Sequence, residues 1–226
     1  MTEETGLQAL GNAISEVESK FDNEKALSIV TKVGDYLPYI GLYGSNSDEV
    51  KRGNFPMGHF GLKQGKQIID LGEEVPLLFL AWRSKAMNFA ELESFYDVED
   101  PAFEDLMHRA NTEQNSGCGF GPEFLVWCWT AETPTFATYF MSSKTARNEA
   151  PNLLGPLKQG PCYKIQKAHL IETKKYTWHG PLTKAYEMEA TVMPEQDKML
   201  EIVNKFKNPP KSEKELVDND KDETER

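Results

Sequence analysis

Residues 124–131, Phe-Leu-Val-Trp-Cys-Trp-Thr-Ala, are apolar at odd and even positions alike. Successive side chains of a strand point to opposite faces, so such a run needs cover on both sides. It predicts a central strand in a sheet packed on both faces. Further strand patterns fall at 27–33, 36–43, 58–71 and 75–89. Residues 136–140 fit a hairpin partner for the central run, and 163–178 read as one long alternating strand that turns at His-Gly-Pro, 179–181. Residues 44–54, GSNSDEVKRGN, are turn-like and polar and predict a mobile hairpin loop, and LGEE at 71–74 predicts a tight turn between two strands.

Helical periods are fewer. Leu7, Leu10, Ile14, Val17 and Phe21 form one stripe of a helix over 6–21 with an acidic back. The stripe suits packing on its own domain, the expected arrangement, or a homodimer contact. Pro101 opens a helix over 101–110 whose apolar face is Phe103, Leu106, Met107 and Ala110. Ser142 and Ser143 cap a short helix over 143–149 that Pro151 ends, and Met199, Ile202, Val203 and Phe206 mark a last helix over 195–207. The expected fold class is therefore mainly β with peripheral helices, a Greek-key barrel of the oligonucleotide-binding (OB) kind. The expected organisation is an acidic amphipathic helix at 1–24, a β-barrel binding domain at 25–210 and a disordered acidic tail at 211–226.

The net charge of −11 is unevenly spread. Residues 1–24 carry six acids against one base, and residues 211–226 carry seven against four, which leaves 23 acids and 20 bases for the body. The segment 144–184 is locally basic: Lys144, Arg147, Lys158, Lys164, Lys167, Lys174, Lys175 and Lys184 face only Glu149 and Glu172. Local potential, not net charge, governs docking of a polyanion. No apolar run reaches the ~20 residues of a membrane span, and residues 1–10 have neither the basic nor the apolar part of a secretory signal. The three cysteines are too few for a disulfide framework, so a reducing, cytoplasmic location is expected.

Enzyme signatures are missing. There is no phosphate loop ending in Lys-Ser/Thr, no His-Glu-x-x-His and no Gly-x-Ser-x-Gly. GCGFG at 117–121 precedes a strand, so it lacks the helix N-terminus that holds phosphate and reads as a turn or hinge. Glu172 and Lys174, two apart on the expected strand, would share one face, and metal-dependent nucleases use such a pair with an upstream carboxylate, here Glu123 or Asp105. A solvated strand face is the expected reading, with no catalytic activity and no cofactor. Cys118, Cys128 and His108 are the candidate metal ligands, yet they lack close Cys-x-x-Cys spacing, so no metal is expected either.

The binding signal is stronger. Tyr163, Lys164, Lys167, Lys174, Lys175, Tyr176 and Trp178 interleave cations with rings, and Trp82, Arg83 and Lys85 repeat the theme on another strand. Lys144 and Arg147 extend the basic segment. Single-stranded nucleic acid needs both kinds of group: cations track its phosphates and rings stack on its exposed bases. Trp127 and Trp129 are expected in the core.

The run AWRSKAM (81–87), then a helix, then SGCGFGPEFLVW (116–127), FMSSKTARNEAPNLLGPL (140–157), KAHLIETKKYTWHGP (167–181) and KFKNPP (205–210) resembles tailed-bacteriophage single-stranded-DNA-binding proteins. The resemblance covers about residues 25–210. It implies an OB barrel, single-stranded DNA as partner, and an acidic tail that occupies the DNA groove and recruits replication or recombination proteins. Such tails commonly end in an aromatic or apolar anchor. This sequence ends in Glu225-Arg226, so the implied role is competition by bulk charge. The alternative from another class is an acidic protein-binding inhibitor that mimics DNA. Carboxylates scattered over the folded surface would favour it, and carboxylates confined to the ends favour the binder.

Overall fold

The computed structural model describes residues 37–113, 116–131, 133–186 and 193–209. The expected helix at 6–21, the strand at 27–33 and the acidic tail lie outside these residues. The nine described strands are β1 (Tyr39–Tyr43), β2 (His59–Gln64), β3 (Gln67–Gly72), β4 (Glu74–Asn88), β5 (Glu93–Phe95), β6 (Cys118–Cys128), β7 (Thr135–Phe140), β8 (Cys162–Glu172) and β9 (Thr177–Ala185). They form one sheet in the order β3-β2-β1-β7-β6-β4-β8-β9, with β5 attached to β4. Of the described pairings only β1–β7 is parallel.

The central run behaves as its pattern requires. β6 pairs with β4 on one side and β7 on the other. Phe124, Val126 and Cys128 enter the core of the concave face, with Ile40, Phe60, Leu77, Phe79 and Tyr139. Leu125 and Trp127 point the other way, under Met199, Val203 and Phe206. Those three belong to α5 (Gln196–Lys207), which covers the convex face. α2 (Pro101–Thr112) buries Phe103 and Leu106 on the far end of β4 and β6. Its Asp100 cap accepts from Ala102 N at 2.8 Å, one of the free amides of a helix start.

The sheet curls strongly into a half-barrel, and the chain is mainly β and OB-like as expected. Within the concave side sit Ala146 of α3 (Lys144–Glu149) and Leu153 of α4 (Pro151–Leu157). A buried polar chain ties the wall together. Tyr139 Oη donates to Gln166 Oε1 at 3.3 Å, Gln166 Nε2 donates to Thr183 Oγ1 at 3.1 Å, and Thr183 N donates to Glu149 Oε2 at 3.1 Å. The curl brings β9 back toward β2. A Cβ at Gly58 would lie 2.9 Å from Nε2 of His179, and Gly58 has φ +82°.

Several boundaries differ from the sequence pattern. Residues 58–71 are two strands, because Gly65, at φ +60°, takes the first central position of a two-residue turn between Gln64 and Gln67. The 71–74 turn joins β3 to β4, but β4 pairs with β5, β6 and β8 instead of β3. The 44–54 loop does join a hairpin, β1 with β2, and contains a short helix, α1 (Asp48–Lys51). Pro151 ends α3 and at once opens α4 from its first position, where a missing N–H costs nothing. Residues 118–121 of the glycine-rich segment are the start of β6, not a hinge. The expected strand over 163–178 is the hairpin β8–β9, and His-Gly-Pro lies within β9.

Candidate nucleic-acid interface

The β8–β9 turn contains neither Gly nor Pro. Thr173 makes it: its N–H donates to Tyr176 O at 2.8 Å, its hydroxyl donates to the same oxygen at 2.9 Å, and Oγ1 accepts from Tyr176 N at 3.0 Å. A side chain that bonds its own backbone neighbours replaces the usual turn residue. Lys174 and Lys175 are exposed at this tip and form no described ion pair, while Tyr176 is 69% exposed. Glu172 at the end of β8 is the carboxylate of the tip.

Trp178 stands behind the tip, half-buried. Its Nε1 donates to Thr145 Oγ1 of α3 at 3.2 Å. A Cβ at Gly180 would run into Thr145 as well. α3 therefore lies against β9, the last strand of the sheet. The hydrogen bond to Thr145 orients the indole toward α3.

The other candidates fall elsewhere. On β4, Trp82 is 41% exposed, but Arg83 and Lys85 are committed inward. Arg83 Nε donates to Glu123 Oε2 at 2.7 Å and its Nη1 to Phe206 O at 2.8 Å. Its guanidinium lies between the rings of Tyr96 and Phe206, 3.9 and 4.2 Å from their centroids. Lys85 Nζ donates to Glu123 Oε1 at 2.8 Å. With Glu123 these two cations form a triad around a buried carboxylate, so the structure pairs them inward and does not join them to the hairpin tip. Lys167 pairs with Glu74, as does Lys184 at 3.6 Å. The Lys167 hydrogen bond holds the Glu74 carboxyl below its usual range. Tyr163 packs edge-on against Trp129, with ring centroids 5.5 Å apart, and its hydroxyl donates to Met193 Sδ. Trp129 is thus half-buried, while Trp127 is in the core. Lys164 is opposite Leu77 and Ala185, away from the tip. The long single-strand platform is thereby replaced by a hairpin tip and separate structural contacts.

Lys144 and Arg147 line a different feature, a cavity of about 530 Å³ between α2 and α3. Cys118 and Phe120 of β6 line it too, with Asn111, Ser142, Ser143 and Asn148. Arg147 lies over the Phe120 ring at 4.0 Å, and its Nη1 donates to Phe120 O at 3.1 Å and to Ser142 O. Burial pushes the pKa of this guanidinium down. A side chain at Gly121 would collide with Met141 O and Arg147. The glycine-rich segment was the sequence signal for this place. Its pattern points to a turn or hinge, whereas Gly119 and Gly121 admit the close approach of 141–147.

The nuclease pieces are not assembled. Glu172 ends β8 and Lys174 is in the turn, so they share no strand face. Glu123 is neutralised by Arg83 and Lys85, and Asp105 pairs with Arg109 at 3.6 Å on α2. Cys118 and Cys128 occupy opposite ends of β6, about 30 Å apart for an 11-residue strand. One ion cannot reach both. All three cysteines are free, and burial raises the Cys162 thiol to about 11. Among the described residues no helix is long and apolar enough to cross a membrane. No family model, curated protein or solved structure matches the chain.

Proposed function

We propose that this chain is a single-stranded-DNA-binding protein of the tailed-phage replication type. The observation that carries the reading is the β8–β9 tip, where Lys174, Lys175 and Tyr176 stand exposed, followed two residues on by Trp178, whose indole is bonded to Thr145. Two lysines contact successive phosphates, and an exposed ring stacks on a base for about 1–3 kcal/mol. Backbone contact of this kind reads no sequence, which suits a protein that coats whatever strand is exposed. The half-barrel supplies the rigid support for the tip.

The test is a fluorescence-anisotropy titration of the full chain with a labelled oligothymidylate at low and at moderate salt. Binding is expected to weaken with salt. The double substitution Lys174→Glu/Lys175→Glu should flatten the slope of log K against log salt by about 1.4, at roughly 0.7 per phosphate lost. Tyr176→Ala should weaken binding at every salt concentration. If the full chain and a chain lacking residues 211–226 both ignore oligonucleotides, the reading is overturned in favour of the protein-binding alternative.

A further inference from the structure

We infer that the cavity between α2 and α3 is a binding site for a phosphate monoester, borne by the end of a DNA strand or by a free nucleotide. This goes beyond the hairpin interface, because the two places use different side chains. α3 separates them: Thr145 turns to Trp178, while Lys144, Arg147 and Asn148 line the cavity. The cavity's volume is in the range that holds a small organic ligand.

Its chemistry selects an anion. Lys144 and Arg147 line it, and none of the described lining residues is acidic. The nearest carboxylate of α3, Glu149, is taken by Thr183 N at 3.1 Å and Asn152 Nδ2 at 3.1 Å. Arg147 has carbonyl partners only, both through Nη1. Its charge is therefore uncompensated by any described carboxylate, and its remaining N–H groups form no described hydrogen bond. The stack on Phe120 holds the guanidinium plane, so a planar fork is oriented in advance. Ser143 Oγ accepts from Ala146 N at 3.1 Å, which leaves its hydroxyl proton to donate. Asn111 and Asn148 add amide donors. Two cations, a hydroxyl and amides suit the three terminal oxygens of a monoester.

The experiment uses the full chain and four probes: adenosine 5′-monophosphate, adenosine, and one oligothymidylate with either a 5′-phosphate or a 5′-hydroxyl. Calorimetry should detect the monophosphate and not the nucleoside. The monophosphate should bind more tightly at about pH 7.5 than at about pH 5.5, because the monoester gains its second charge near pH 6. Preference of about tenfold for the 5′-phosphorylated strand, worth about 1.4 kcal/mol, identifies a strand end as the source. Binding of the monophosphate without that preference identifies a free nucleotide. Lys144→Glu, at an exposed position, should abolish monophosphate binding, and Arg147→Lys should weaken it while keeping the charge. Lys174→Glu/Lys175→Glu should leave monophosphate binding unchanged even where it removes strand binding, so the two sites fail separately. No difference between monophosphate and nucleoside overturns the inference, as does a Lys144→Glu protein that binds the monophosphate normally.

Discussion

Glu123 is 2% exposed and sits between Arg83 and Lys85, a carboxylate with two cations at 2.6 and 2.8 Å. Removing one partner from a buried ionic group leaves uncompensated charge, which costs about 3–5 kcal/mol. Glu123→Gln keeps the shape and removes the charge, so it should lower the midpoint of urea denaturation, with a loss of unfolding free energy in that range. The same substitution tests the assignment of Arg83 and Lys85. An unchanged midpoint together with tighter oligonucleotide binding would return both cations to the interface.

At the scale of the element, the hairpin β8–β9 depends on two supports. α3 holds Trp178 through Thr145, and the segment before β2 meets His179 at Gly58. Gly58→Ala places a Cβ where His179 Nε2 stands 2.9 Å away, on a backbone at φ +82°. A left-handed conformation alone costs a side-chain residue roughly 1–2 kcal/mol. The expected outcome is a loss of at least that size in urea denaturation, with amide exchange accelerated first in β9. Wild-type stability would show that β9 does not close against β2.

For the whole molecule the charge distribution matters most. On the sequence expectation of a disordered acidic tail, seven carboxylates in 211–226 compete with phosphates for Lys174 and Lys175. A tether of this length keeps the tail at an effective concentration near ~1 mM. Deleting 211–226 should tighten oligothymidylate binding by about 1–2 kcal/mol, given a net charge of only −3 in that segment. It should also steepen the salt dependence, because the strand no longer has to displace the tail. Anisotropy titrations of both proteins at matched salt check this, and equal affinities would remove the tail from the binding mechanism.

Sequence pattern alone determined that the apolar run from 124 belongs to a central strand covered on both faces, though the strand ends at Cys128, that helices with one buried stripe fall near 101–110 and 195–207, and that a serine at 142–143 caps α3. Each of these rests on contacts a few residues apart, or on a pattern that only one packing can satisfy. The tertiary structure decided the rest. A turn built by the Thr173 hydroxyl carries no Gly or Pro signal, so one long strand became a hairpin. Whether a lysine is free depends on a carboxylate far away in the chain, as Arg83 and Lys85 find in Glu123, forty and thirty-eight residues distant. The cavity joins side chains from 110 to 148, and only the curl and the packing of α2 and α3 bring them together. Charge and aromatic content are legible along the chain, but charge compensation is a property of space.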